Sequence, residues 1–347
     1  MEIFTEGKIR FYAKNEQTRS AEVFFNPARK FDRDLNIIFI RAVGKNGLCG
    51  IDLFGGSGVR GLRLAAETTS FSLMRINDIK TSAVILKNTE SNKSKLNAKV
   101  DVTSFDATDI YSSIEGYDYL DIDPFGSPVR YILQAIPKVK YGGIIALTAT
   151  DGAALYGKAP KACTLKYGAR SFKTPYFNEV GLRILIKRAE EISNMYDRSI
   201  IPLFFDVRRH YLRIYLRVVK ASVHRKIGHI YQCTLCPNRS LLYSTVCPFC
   251  GGKNIEIGPL WLDKLFDRDL VKTMYNLAQD KGTKRYLEMM KEESDAISYY
   301  TTDEFASYFK SKEKSVDAYG TRTVLNDKGF RSEHGFKDTL EEYRKLK

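Results

Sequence analysis

Tyr117-Asp118-Tyr119-Leu120-Asp121-Ile122-Asp123-Pro124-Phe125-Gly126-Ser127-Pro128 is the stretch on which the reading of this chain turns. Its first half alternates like a strand whose polar positions are acidic. The alternation stops at Asp123-Pro124-Phe125-Gly126, where a proline and a glycine forbid continuation as helix or strand. In an open α/β sheet, ligands collect at the carboxyl ends of the strands. A carboxylate, a rigid turn and an exposed aromatic at such an end suit something flat that carries an N–H group.

Working outward, Leu48 to Phe54 is a short apolar strand with an acid at Asp52, and it runs into Gly55-Gly56-Ser57-Gly58-Val59-Arg60-Gly61 and a helical pattern. Glycines permit close backbone approach, and the free N–H groups of a helix start face a ligand. Phe71 to Ile79 is a second strand reaching Asp78, about 20 residues past the glycines, where a carboxylate meets ribose hydroxyls in such folds. Val100 to Phe105 is a third, followed by Asp106-Ala107, where an adenine amino group could be bound. Tyr141 to Thr150 is a fifth, ending at Asp151. Helical patterns lie between them. Helix N-capping explains each aspartate singly but not the set. The chain is therefore read as α/β, with a Rossmann-like parallel sheet. An acid-plus-glycine first turn, a ribose acid on strand two and an aspartate on strand three match S-adenosylmethionine-dependent methyltransferases.

The 347 residues can bury a large core. No apolar run approaches the ~18 residues of a membrane span, and MEIFTEGKIR lacks the apolar core of a signal peptide. No membrane association and a cytoplasmic location are expected. From Asp151 to Ile230 there are 16 Lys and Arg against 6 Asp and Glu, so +10 of the net +14 lies there. That suggests a polyanion-binding face, with a solvated lysine-rich surface as the competing reading. His210 to Val218 alternates Tyr211, Arg213, Tyr215 and Arg217 with aliphatics. That face either tracks a nucleic-acid backbone or is the exposed or helix-covered side of a late strand.

Four of six cysteines form Cys233-x2-Cys236-x10-Cys247-x2-Cys250. Two tight knuckles bring four thiolates together, an S4 set that favours structural zinc over disulfides. Beyond Pro259 the charges balance, and the segments beginning at Trp261, Lys284 and Thr302 read as amphipathic helices. The domains are read as 1–225, catalytic with an N-terminal extension, and 226–347, an RNA-binding α/β domain holding a zinc module at 233–250. The basic-aromatic tail is expected to touch RNA.

The Asp-Pro-Phe-Gly tetrapeptide resembles that of methyltransferases acting on exocyclic base amines. Together with FNPARKFDRDLN, DLFGGSGVRGLR, INDI, FDAT, TATDGAALYG, KYGARSFKTPYFNEVGLRILI and GPLWLDKL, it resembles the tRNA (guanine-26, N2)-dimethyltransferase family over about residues 24–262. The resemblance implies tRNA as partner and cofactor contacts at Arg33, Arg60, Asp78, Asp106 and Ala107. Asp52 and Ser57 would shape the cofactor loop, and Asp123, Pro124 and Phe125 would meet the target base. Asp121, two residues back, is expected to share that pocket or to orient Asp123, and two nearby carboxylates would raise one pKa, which suits a general base. A monomer is expected. The alternatives are another RNA or DNA base-amino methyltransferase, a protein glutamine methyltransferase, and a non-catalytic RNA-binding module.

Overall fold

The computed structural model describes residues 1–14, 23–112, 116–208, 210–221, 226–313, 315, 320–334 and 336–345. The chain starts with an antiparallel hairpin of β1 (Glu2–Glu6) and β2 (Ile9–Ala13). Residues 1–25 look patternless in sequence, yet Ile9, Phe11 and Ala13 are wholly buried at the spacing of a strand face. Phe4 and Phe11 pack on Phe25 with ring centroids 4.8 and 4.9 Å away, so the hairpin closes over the segment that enters α1 (Lys30–Val43).

The central sheet then builds as read. β3 (Leu48–Asp52) leads into α2 (Val59–Glu67), β4 (Phe71–Asn77) into α3 (Ser82–Ser91), and β5 (Lys99–Thr103) precedes β6 (Tyr117–Ile122). After α4 (Val129–Ala135) come β7 (Val139–Ala149), α5 (Gly152–Leu155), α6 (Pro160–Tyr167), α7 (Phe177–Asn194), β8 (Arg198–Arg208) and β9 (Tyr211–Lys220). The strand order is β5-β4-β3-β6-β7-β9-β8. The first five run parallel, and β9 is antiparallel to both its neighbours. Chain order reverses between β3 and β6, so a crevice opens there at the carboxyl edge. Asp52 and Asp123 stand on its two sides.

Both faces of β9 are interior. Tyr215 packs on Phe39 of α1 with centroids 4.2 Å apart, and Arg213 lies 3.2 Å from Asp32 of α1. Their alternation therefore marks a helix-covered strand; Arg213 and Tyr215 cannot reach a nucleic acid.

The C-terminal part opens with an antiparallel sheet of β10 (Ile227–Cys233), β11 (Arg239–Ser240) and β12 (Asn254–Trp261). β12 takes Trp261 into a strand where the sequence suggests helix. The next helix, α8 (Arg268–Leu277), starts only where Asp267 accepts from the Asp269 and Leu270 N–H groups. α9 (Lys281–Glu292), β13 (Tyr300–Thr301), α10 (Thr302–Phe309), β14 (Thr321–Arg322), β15 (Gly329–Arg331) and α11 (Phe336–Lys345) complete the chain. One apolar core runs from Ile9 to Leu325, through the sheet, Trp261 and Met274. A smaller cluster joins Cys233, Cys236 and Cys247 to Tyr300, Phe305, Phe330, Phe336 and Leu340. The boundary read at 225 lies outside the described residues. Phe330 and Arg331 of the tail are buried, so these two side chains belong to the interior. No helix among the described residues is long and apolar enough to cross a membrane.

Candidate active site

The β3 turn is shaped for close approach. Gly56 and Gly58 are left-handed, with φ of 57° and 80°, and a Cβ on Gly56 would lie 3.1 Å from the Phe24 carbonyl oxygen. Beside them Asp52 Oδ1 and Ser57 Oγ are buried without a hydrogen-bond partner, and such atoms ordinarily find one. Asp78, at the end of β4, accepts from Gly56 N at 3.0 Å, Lys80 N at 2.9 Å and Thr81 N at 3.1 Å. It fixes the glycine loop. Asp106 is exposed, with Oδ1 accepting from the Thr108 N–H and hydroxyl, and these bonds lower its pKa; Ala107 is buried next to it. Asp52, Ser57, Asp78, Asp106 and Ala107 thus line the carboxyl edge of three adjacent strands, as the sequence places them.

Arg33 and Arg60, also expected at the cofactor, are paired with carboxylates of the protein. Arg33 forms a fork with Glu6 of the hairpin, at 2.7 and 2.6 Å, and donates to the Asn26 carbonyl at 3.1 Å. It braces the entering loop. Arg60, in the first turn of α2, reaches under the crevice to Asp32 at 2.7 Å, Asp123 at 2.9 Å and Asn36 at 3.3 Å. It belongs to a network that the sequence does not announce. Arg29 bonds Asp32 at 2.6 Å and Asp123 at 3.1 Å, and Arg213 bonds Asp121 and Thr148. Arg29, Asp32 and Arg213 look like surface charge in sequence, and their one signal is that Arg29, Arg33 and Asp32, Asn36 recur at helical spacing.

Asp121 is correspondingly closed off. It is fully buried, held by Arg213 and by the Tyr119 hydroxyl at 2.6 Å, which leaves no face for a base. It does not act as the partner that raises the Asp123 pKa. Burial opposes ionisation of Asp123, but Arg29 and then Arg60 override it and hold the carboxyl below its usual range. The raised group is Asp52, pushed up to about 7 by burial and then by the charge of Asp121.

The Asp-Pro-Phe-Gly turn exposes Phe125 alone, with Pro124 and Gly126 buried. Gly126, with φ of 85°, donates to Thr150 Oγ1 at 2.6 Å and accepts from Thr150 N at 2.8 Å, which ties the turn to the end of β7. Phe125 is half exposed and meets Phe24 edge to face, centroids 4.9 Å apart.

In the second centre all four Sγ atoms of Cys233, Cys236, Cys247 and Cys250 lie within 4.8 Å of one another. The separations of 3.4, 3.5 and 3.7 Å approach the ~3.8 Å edge of a tetrahedron built on Zn–S bonds of ~2.3 Å. The Leu235 N–H and the Asn238 amide donate to Cys233 and Cys247 sulfur at 3.3 and 3.4 Å, as thiolates require.

The profile of the N2,N2-dimethylguanosine tRNA methyltransferase family matches residues 6–336. A tRNA (guanine(26)-N(2)/guanine(27)-N(2))-dimethyltransferase from Aquifex aeolicus is 32% identical, over all of this chain and 96% of that one. A tRNA (guanine(26)-N(2))-dimethyltransferase from Pyrobaculum arsenaticum is also 32% identical, over 94% of each. The solved structure of Trm1 from Pyrococcus horikoshii with S-adenosyl-L-methionine shares the fold, with a TM-score of 0.88 over 99% of both chains at 24% identity. A profile spanning nearly the whole length, and relatives matched end to end, make this chain a member of the N2,N2-dimethylguanosine tRNA methyltransferase family.

Proposed function

We propose that this chain methylates the exocyclic N2 of guanosine 26 in tRNA, twice, using S-adenosylmethionine. The observation that carries the reading is the Asp123-Pro124-Phe125 turn standing across the switch-point crevice from the glycine loop. The residues fit the cofactor: Asp52 Oδ1 and Ser57 Oγ are buried polar atoms that want partners, beside a turn that Gly56 lets pass close to Phe24. Asp78 would take the ribose hydroxyls, and Asp106 with Ala107 the adenine. When bound, the cofactor supplies an electrophilic methyl on a sulfonium.

The guanine amine is a weak nucleophile because its lone pair is delocalised into the ring, so positioning matters most. Asp123 accepts one N2 hydrogen and the Pro124 turn presents a backbone carbonyl to the other, which aims the lone pair at the methyl carbon. Phe125 stacks on a base flipped from its helix. As the N–C bond forms and the C–S bond breaks, positive charge appears on N2 beside an ionised Asp123. The alkylated amine is then acidic enough to lose its proton to a carboxylate of low pKa, so a raised pKa is not required.

Cys233, Cys236, Cys247 and Cys250 would hold zinc as a closed structural crosslink between the knuckles and the Tyr300–Phe336 cluster. Metal analysis should find one zinc per chain, absent from Cys247→Ser.

The decisive experiment uses labelled S-adenosylmethionine and two transcripts of one tRNA, with guanosine or adenosine at position 26. Label in N2-methylated guanosine from the first alone supports the assignment. Label in both keeps the chemistry and overturns the position; none, with cofactor bound, favours a non-catalytic module.

A further inference from the structure

Asp123 is already occupied in a telling way. Its Oδ1 accepts from Arg29 Nη1 at 3.1 Å, while the Arg29 guanidinium lies 4.3 Å from the centroid of the Tyr211 ring. The other two donors, Nε and Nη2, both reach Asp32 Oδ2, at 3.1 and 2.6 Å. C2 of guanine, with N1–H, the N2 amine and N3, is itself a guanidine: planar, with adjacent N–H groups along one edge. A guanidinium on a carboxylate, laid over an aromatic ring, reproduces the contacts such an edge would make.

We infer that Arg29 is a place-holder for the target guanine, which displaces it from Asp123 onto Asp32 and takes Tyr211 as a stacking surface. This rests on the reading of Asp123 as the amine's acceptor. Arg29 is the arginine carried by a turn, Pro27–Arg29, whose Pro27 and Ala28 are exposed, and Asp32 remains beside it as an acceptor when it leaves Asp123 and the Tyr211 ring. Arg60 is fixed inside α2 by Asp32, Asn36 and Asp123 and stays.

Two consequences follow from charge. In the empty site Arg29 spares Asp123 the cost of a buried carboxylate with too little compensation. When a neutral base replaces this cation, Asp123 loses a neighbouring positive charge and becomes more basic. The N2 proton then passes to a carboxylate that the substrate itself has activated. Arg29 is thus a positioning residue, acting through Asp123, whereas Tyr211 touches the base.

Competition between Arg29 and the base lowers apparent affinity by the fraction of sites in which Asp123 is released. Arg29→Gln should therefore lower KM for tRNA by about 3–10-fold, with transfer retained. The acid limb of its kcat/KM profile should move to higher pH, and low millimolar guanidinium should compete with tRNA in the variant but not in the wild type. Tyr211→Leu should raise KM for tRNA about tenfold through lost stacking, and Tyr211→Phe should not. A KM that rises or stays put in Arg29→Gln, with melting and cofactor binding intact, overturns the inference. If Arg29→Gln melts early, Arg29→Lys must show the same fall in KM, since it keeps the cation for Asp32 but lacks the planar edge. Wild-type protein that leaves tRNA guanosine unlabelled refutes the functional reading instead, and separately.

Discussion

Two buried clusters of charge hold this molecule together, and they differ in kind. At the carboxyl edge of the sheet, Asp32, Asp121 and Asp123 face Arg29, Arg60 and Arg213. At the N-terminal end of α7, Glu179 and Glu293 face Arg183 and Arg331. The second cluster is sealed: all four side chains are at most 3% exposed, and backbone groups complete it, with the Ser298 N–H on Glu179 at 2.9 Å and Arg331 on the Ala296 carbonyl at 2.6 Å. The first is open on one side. Asp123 is 15% exposed, and an arginine on a surface turn supplies one of its bonds. The sealed cluster is a clasp between α7 and the C-terminal strands. The open one has a vacancy that chemistry can enter.

The largest effect should separate them outright. Asp123→Ala removes the acceptor that positions the amine and should reduce transfer by at least ~10³-fold, while equilibrium dialysis shows cofactor still bound. Turnover retained at a tenth of wild type would break the comparison from one side.

On the other side, Arg331→Leu leaves Glu179 and Glu293 short of a cation in a sealed interior, and removing one partner of such a set costs about 3–5 kcal/mol. Chemical denaturation should show that loss, with kcat per folded molecule unchanged. A fall in kcat without unfolding would make the clasp part of the site.

The smallest effect sharpens the contrast through pH. Asp52, raised to about 7 in the folded chain, titrates near 4 when unfolded. Between those values the folded state binds the extra proton, so this residue makes stability fall as pH rises. Asp52→Asn removes the burden and should gain about 2–3 kcal/mol on wild type between pH 5 and 8. A constant difference across that range would mean that Asp52 is ionised throughout.

How much of this was legible beforehand varies with the physics involved. Asp78 and Asp106 were legible because they lie at strand ends, and strand ends are fixed by local pattern. The cysteine centre was legible because two knuckles converge at short range. The Arg33–Glu6 pair was not legible, because Glu6 lies in a hairpin whose pairing with the loop is long-range. The N-terminal hairpin itself did carry a signal, in the alternation of Ile9, Phe11 and Ala13, too short to stand out from a charged segment. The β9 face shows where such reading stops: its alternation is legible, and a helix-covered strand is one of the two readings it allows, but which element covers Arg213 and Tyr215, here α1, is decided only by folding.

The amino-acid sequence by itself determined the parallel sheet, its glycine loop, the row of carboxylates along one edge, the Asp-Pro-Phe-Gly turn and the four-sulfur centre. Each rests on hydrophobic period, turn chemistry or ligand spacing within about ten residues. Only the tertiary structure decided which carboxylates are open. Asp121 is closed by Arg213, 92 residues away, and Asp123 is gripped by Arg29, 94 residues away. A carboxylate's role depends on its counter-ions and its burial, and both are set by chain segments that meet only after folding.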